Sequence, residues 1–215
     1  MMERVMKNNL FIVSKDGWKY IAYALLISFI FALLDLEIFS FLSFLTALYF
    51  AYSFRNPERE LGFLDEKAVV SPVDGVVIAI DELQEEAYTY KIIIESSLLN
   101  VGILRIPLTS KIENVSIKRG ARTSKYSKLF RDLNEKAELK FVDMSGNSIK
   151  VVHTLKQGIT PVKIAINKDE SVVKGTRYGT ALNTLTEIYL PKNFRLNVNV
   201  HDEIEASHSL IGYLS

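Results

Sequence analysis

A chain of 215 residues can hold one domain with a full core plus an appendage, and is too short for two ordinary domains and an anchor. It has no cysteine, which excludes disulfide frameworks, thiolate metal sites and a cysteine nucleophile, and which fits a reducing compartment. With 26 Lys and Arg against 25 Asp and Glu the formal net charge is +1, so nothing general argues for nucleic-acid binding and any electrostatic role rests on local clustering.

Residues 1–19 are polar and basic, with Arg4, Lys7, Lys15 and Lys19 against Glu3 and Asp16. Tyr20–Leu34 carries no charge, Asp35 and Glu37 interrupt, and Ile38–Phe54 is again free of charge. This reads as an N-terminal apolar α-helical hairpin with an acidic turn, a membrane anchor over residues 1–54. At 1.5 Å per residue its arms reach roughly 22 and 25 Å, short of the ~30 Å hydrocarbon core, so they either span a thinned bilayer or dip in and return. Basic residues before the first arm, and Arg55 and Arg59 after the second, place both ends on the cytoplasmic side of the inner membrane. A cleavable signal peptide does not fit, because the apolar region starts late, runs long and lacks a small-residue cleavage site. The alternative is a buried hairpin of a soluble core, against which stands the lack of a polar face on either arm.

From residue 55 onward the pattern changes to that of a mainly β domain with short β-branched runs. Strands are predicted near Gly75–Ile80, Tyr90–Glu95, Val101–Ile106, Ile112–Lys118, Glu138–Asp143, Ser148–His153, Val162–Ile166, Glu187–Leu190, Phe194–Val200 and Ser209–Tyr213. Turns are predicted at Val73-Asp74-Gly75, Ser145-Gly146-Asn147 and Asn167-Lys168-Asp169, and a helix over Ser124–Glu138.

Two patterns mark the passage from anchor to domain: Phe54-Arg55-Asn56-Pro57-Glu58-Arg59, and Ser71-Pro72-Val73-Asp74-Gly75-Val76-Val77. Together they resemble the phosphatidylserine decarboxylase family, which carries F-R-x-P-x-R after its anchor and a P-x-D-G turn at the start of its catalytic domain. The opening VVSPVDGVVIAI and closing VNVHDEIEASHSLIGYL also resemble the hybrid sandwich of biotinyl and lipoyl carrier domains, with His201 and Ser207 where that hairpin has glycine. No lysine stands at the tip of a matching turn, which argues against a swinging-arm carrier. Both resemblances imply a sandwich or barrel-sandwich hybrid.

The first resemblance implies a self-made prosthetic group. A serine in a Gly-Ser pair attacks the preceding carbonyl, the ester eliminates, and the new N-terminus becomes a pyruvoyl group that holds the substrate amine as a Schiff base while carbon dioxide leaves. An Asp and a His serve the serine. Here the Asp is Asp74, which is equally an ordinary turn residue before glycine. The family's L-N-V-H-x-x-R-x-P segment matches Leu99–Pro107 with Gly102 in the place of the His, and glycine cannot move a proton. The Gly-Ser pair falls on Asn183-Thr184, between Gly175-Thr176-Arg177-Tyr178-Gly179 and Glu187-Ile188-Tyr189-Leu190-Pro191. A threonine that cut itself would leave a 2-oxobutanoyl group; otherwise no cofactor is expected. The bland reading is a threonine in a β-turn leading into a strand. His153 is the candidate substitute base. His201 and His208 show no metal-ligand spacing, and no metal is expected.

Lys118, Arg119, Arg122, Lys125, Lys128 and Arg131 form a run with no acid between Asn114 and Arg131. Beside an anchor it suits anionic headgroups at about 1 kcal/mol per basic residue, or it is a solvated face. Three functions compete: a noncatalytic phosphatidylserine decarboxylase relative at the membrane, a working decarboxylase that processes itself at Thr184, and an interaction module of a membrane complex, alone or as a homo-oligomer.

Overall fold

A computed structural model of the chain describes residues 12–62, 65–84, 87–158 and 160–215. They fall into two compact units, one of Arg59–Ser215 and one of the described residues up to Glu58.

The smaller unit holds α1 (Trp18–Leu33) and α2 (Glu37–Ser53). The chain turns where the charges interrupt the apolar runs, with Asp35 at φ 55°, a backbone that Asp tolerates better than most residues. Ser28 Oγ donates to the Ser40 carbonyl and Ser40 Oγ to the Ser28 carbonyl, both at 2.9 Å, so these two hydroxyls tie the arms together where they meet. At the open end Tyr20 stacks on Phe54 with ring centroids 5.5 Å apart. Large apolar side chains such as Phe29, Leu33, Ile38 and Phe41 are more than half exposed. No helix among the described residues is long and apolar enough to cross a membrane.

The larger unit is mainly β. In chain order it has β1 (Ala68–Val70), β2 (Gly75–Glu82), β3 (Tyr90–Glu95), β4 (Ile103–Arg105), β5 (Ser110–Lys118), α3 (Phe130–Leu133), β6 (Lys136–Val142), β7 (Ser148–Leu155), β8 (Lys163–Ile164), β9 (Ser171–Val172), β10 (Arg177–Thr180), β11 (Thr184–Leu190), β12 (Phe194–Leu196), β13 (Glu203–Ile204) and β14 (Leu210–Leu214). An eight-stranded sheet runs β13-β2-β3-β11-β7-β6-β5-β9, and two three-stranded sheets run β1-β14-β12 and β4-β10-β8. All strand pairings are antiparallel. The alternation of strands β3, β11 and β7 sends Ile92, Ile94, Val151, Leu155 and Ile188 into one buried core, which Tyr178 of β10 joins.

The predicted helix over Ser124–Glu138 is overturned: only Phe130–Leu133 is helical, and Lys136–Val142 is a strand. Ala137, Leu139 and Phe141 alternate into the core, a period of two that outweighs helix propensity. Asn134 closes the helical path, accepting from the Thr123 N–H and hydroxyl and donating to the Thr123 and Leu155 carbonyls. Strands β1, β9, β10 and β13, two to four residues long, carry too little pattern to be read from sequence. The glycine-like places of the closing hairpin are real, with His201 at φ 76° and Ser207 at φ 67°.

Gly75 opens β2 where it meets β3; a Cβ there would lie 2.4 Å from the Glu95 carbonyl oxygen. Gly75→Ala must push the two strands apart, and is expected to cost about 1–3 kcal/mol. A urea midpoint unchanged from the parent would count against the close approach.

Candidate functional site

The residues aligned with the family chemistry converge on the start of β11. Asn183 has φ 57° and donates through Nδ2 to the Gln157 carbonyl at 2.7 Å. Its own carbonyl accepts the Lys156 N–H, and the Thr184 carbonyl accepts the Ser96 N–H, both at 2.9 Å. The Ala181 N–H donates to the Gly102 carbonyl at 2.8 Å, so the segment before β11 is fixed from three sides. Thr184 is the first residue of β11 and fully buried, rather than a turn residue leading into a shorter strand.

Gly102 does lie at this segment. A Cβ on it would stand 2.3 Å from a Leu182 methyl, so Leu182 occupies the space that any side chain at 102 would need. Sequence reasoning singled out Gly102 but not the leucine packed against it.

Asp74 is adjacent through its main chain, whose carbonyl accepts the Ser96 hydroxyl. Its carboxylate is engaged elsewhere: Arg59 holds both oxygens, with Nη2 at 2.7 Å from Oδ2, and the Ala206 N–H donates to Oδ1 at 2.9 Å. Arg59 also donates to the Ala206 carbonyl. The second arginine of the F-R-x-P-x-R segment is thus the partner of the P-x-D-G aspartate.

His153 lies inside β7, opposite Thr186 of β11. Residues 184 and 186 share a face of a strand, so both hydroxyls enter the core beside the imidazole. His153 Nδ1 is 2.9 Å from Thr186 Oγ1, which is 3.4 Å from Thr184 Oγ1. On the other side His153 Nε2 is 2.5 Å from the Tyr178 hydroxyl. Burial pushes the His153 pKa down to about 3 and the Tyr178 pKa up, so both are neutral at pH 7. The spacing of Thr184 and Thr186 in the sequence was a signal for this face; Tyr178, which comes from another sheet, left none.

Beside the site Glu95 joins Lys156 and Lys125, both at 2.7 Å, and their ammonium groups hold its carboxyl below the usual range despite burial acting the other way. Much of the basic run is ion-paired. Arg119 and Arg122 pair with buried Glu135, Lys125 with Glu95, and Arg131 with Glu187, while Lys118 donates to the Asp132 carbonyl. Lys128 has no ion pair among the described residues. His201 is exposed in a turn closed by the Asn199 N–H on Asp202, and His208 lies near Gly62, both outside this site. Among the described residues no group of three His, Asp or Glu side chains is placed to hold a metal ion.

A family model described as phosphatidylserine decarboxylase matches residues 46–212. The phosphatidylserine decarboxylase proenzyme of Geobacter metallireducens is 30% identical over 218 residues, covering 97% of this chain and all of the relative. That of Geotalea uraniireducens is 28% identical, with 97% and 100% covered. That of Desulfotalea psychrophila is 25% identical, with 94% and 96% covered.

Proposed function

Because the chain belongs to the phosphatidylserine decarboxylase family, we propose that it is a noncatalytic member: a membrane-anchored protein of phospholipid metabolism that keeps the family's β sandwich without maturing into an enzyme. One observation carries this reading. Among the described residues the nucleophile position has no base in contact with it, since Leu182 fills the space at Gly102 and the Asp74 carboxylate is committed to Arg59 and Ala206. A neutral alcohol needs a positioned base to attack an amide carbonyl. The residues present therefore do not fit the self-made ketone group of the family.

Anchoring through α1 and α2 is supported by the apolar side chains they leave exposed, which need lipid or protein to cover them. The basic residues flanking the hairpin favour the inner membrane with the β domain on the cytoplasmic side. Of the basic run, Lys128 is the residue most available to an anionic headgroup.

The experiment is the intact mass of the full chain purified in detergent. A single species at 24.4 kDa is expected. Release of the segment Thr184–Ser215 with a carbonyl at its new end would overturn the proposal.

A second reading has one specific observation behind it, the hydroxyl chain from Thr184 through Thr186 to His153. If the chain is cut, the proton leaves Thr184 Oγ1 for Thr186 while Thr186 passes its own to His153 Nδ1. Thr186→Val would then slow the cut sharply, whereas an uncut parent leaves that variant nothing to change.

A further inference from the structure

Strand β5 is the second strand from one end of the eight-stranded sheet, and β9 covers only its beginning, pairing with Ser110 and Lys111. Beyond that point Ile112 still turns its N–H and carbonyl outward, to the Glu170 carbonyl and the Asp169 N–H at 2.9 and 2.8 Å. From Glu113 to Lys118 the outer side of β5 has no main-chain partner among the described residues. A run of free N–H and C=O groups on a strand edge is a template for another strand.

We infer that Glu113–Lys118 is where a second copy of this chain adds its own β5, antiparallel, about a twofold axis through Ser116. The register between β5 and β6 shifts between Ile112 and Asn114, and one extra residue moves the outward-facing groups from even to odd positions. Val115 and Ile117 therefore present their N–H and C=O outward. The same two side chains lie on the core-facing side, opposite the fully buried Leu139 and Ala137, yet Ile117 is 38% exposed. Their apolar strip ends where the sheet ends.

Residues opposite each other on paired strands point to the same face, so only certain registers are allowed. With the axis at Ser116, Val115 faces the second copy's Ile117 and Ile117 its Val115, each pair exchanging main-chain hydrogen bonds. Asn114 faces Lys118, and Glu113, which pairs with Lys140 of its own chain, comes beside Arg119, which pairs with Glu135 and whose side chain is still 59% exposed. With the axis at Val115, Ile117 would face a carboxylate, Glu113. The favoured register thus extends the apolar strip and joins opposite charges, a self-complementarity that singles out a second copy over an unrelated peptide. Glu113 and Lys118 are the kind of charged residues that discourage random edge pairing, and here they also select the register.

The axis makes a clean test, because the chain has no cysteine. Ser116 would face its own copy in a non-hydrogen-bonded pair, with Cα atoms about 4.5 Å apart and within disulfide reach. Two copies of Asn114 would stand roughly 14 Å apart. The full chain in detergent carrying Ser116→Cys, oxidised and run without reductant, should migrate mostly at twice 24.4 kDa, while Asn114→Cys stays single. Ile117→Lys added to Ser116→Cys should cut the cross-linked fraction about tenfold. Equal cross-linking at both positions would mean random collision, and a monomer with no Ser116 cross-link would mean that the edge is free or taken by another protein. Either result overturns the inference. Because Ser116 and Asn114 are both exposed, the cysteine comparison does not depend on how Ile117→Lys folds.

Discussion

Replacing Arg59 by methionine is expected to lower the stability of the β unit by roughly 3–5 kcal/mol, the cost of leaving a buried carboxylate without its partner. The Asp74 side chain is 8% exposed and that of Arg59 13%, so water cannot take over the pairing. What remains on Asp74 is the Ala206 N–H, one neutral donor for a full negative charge. The double variant Arg59→Met/Asp74→Asn should recover more than half of the loss, because an amide oxygen can still accept from Ala206 and no charge is stranded. Urea midpoints of the three proteins at pH 7.5 decide it. If Arg59→Met costs under about 1 kcal/mol, the pair is a surface-grade contact and Asp74 is freer to serve chemistry than its geometry indicates. The result bears on function, since an aspartate that holds the linker to the closing hairpin has little freedom to orient a base as well.

The pairing also shows what was legible. The F-R-x-P-x-R segment and the P-x-D-G turn were each visible as local patterns, and the first sits where an apolar stretch gives way to a strand-rich one. That Arg59 and Asp74 touch was not, because a contact across fifteen residues of turn and strand has no periodicity to betray it. Asp74 looked like a turn residue and is one, with its main chain receiving Ser96, while its side chain does separate work. The mainly β character followed from short β-branched runs. The one clear error, the helix over Ser124–Glu138, arose because Lys136 and Glu138 are good helix formers that sit on the polar side of a strand whose other side is buried.

The candidate site divides in the same way. The glycine at position 102 and the threonine at position 184 are plain in the sequence. The packing around Gly102 is not: Leu182 precedes the aligned pair by one residue and no pattern distinguishes it from any other apolar side chain. The converse holds for His153. A histidine at the end of an apolar run gives no hint of whether it faces water, and its two partners come from strands more than twenty residues away. Only the sheet order β3-β11-β7, with β10 packed over it, turns a lone histidine and scattered hydroxyls into a connected chain.

That buried histidine should dominate the acid side of the stability profile. Its pKa is about 3 in the folded chain, pushed down by burial alone, against about 6.5 when unfolded. Between those values the unfolded chain binds a proton that the folded chain refuses. Stability is therefore complete above about pH 6.5 and falls as the pH drops toward 3, at about 1.4 kcal/mol per unit. At pH 5 the loss is about 2 kcal/mol from this one group. Glu95, whose pKa is lowered by Lys125 and Lys156, contributes in the same direction but only below the ordinary carboxylate range, so the interval from 6.5 to 5 isolates the imidazole. Protonation would also break the chain of hydrogen bonds, because an imidazolium donates from both nitrogens and can no longer accept from Tyr178 or Thr186. His153→Gln keeps a donor and an acceptor of similar reach and cannot titrate. Between pH 7.5 and pH 5 the unfolding free energy from urea titrations should drop by about 2 kcal/mol more in the parent than in His153→Gln. Parallel profiles would place the imidazole in contact with water, and the hydroxyl chain from Thr184 would then no longer end on a buried base.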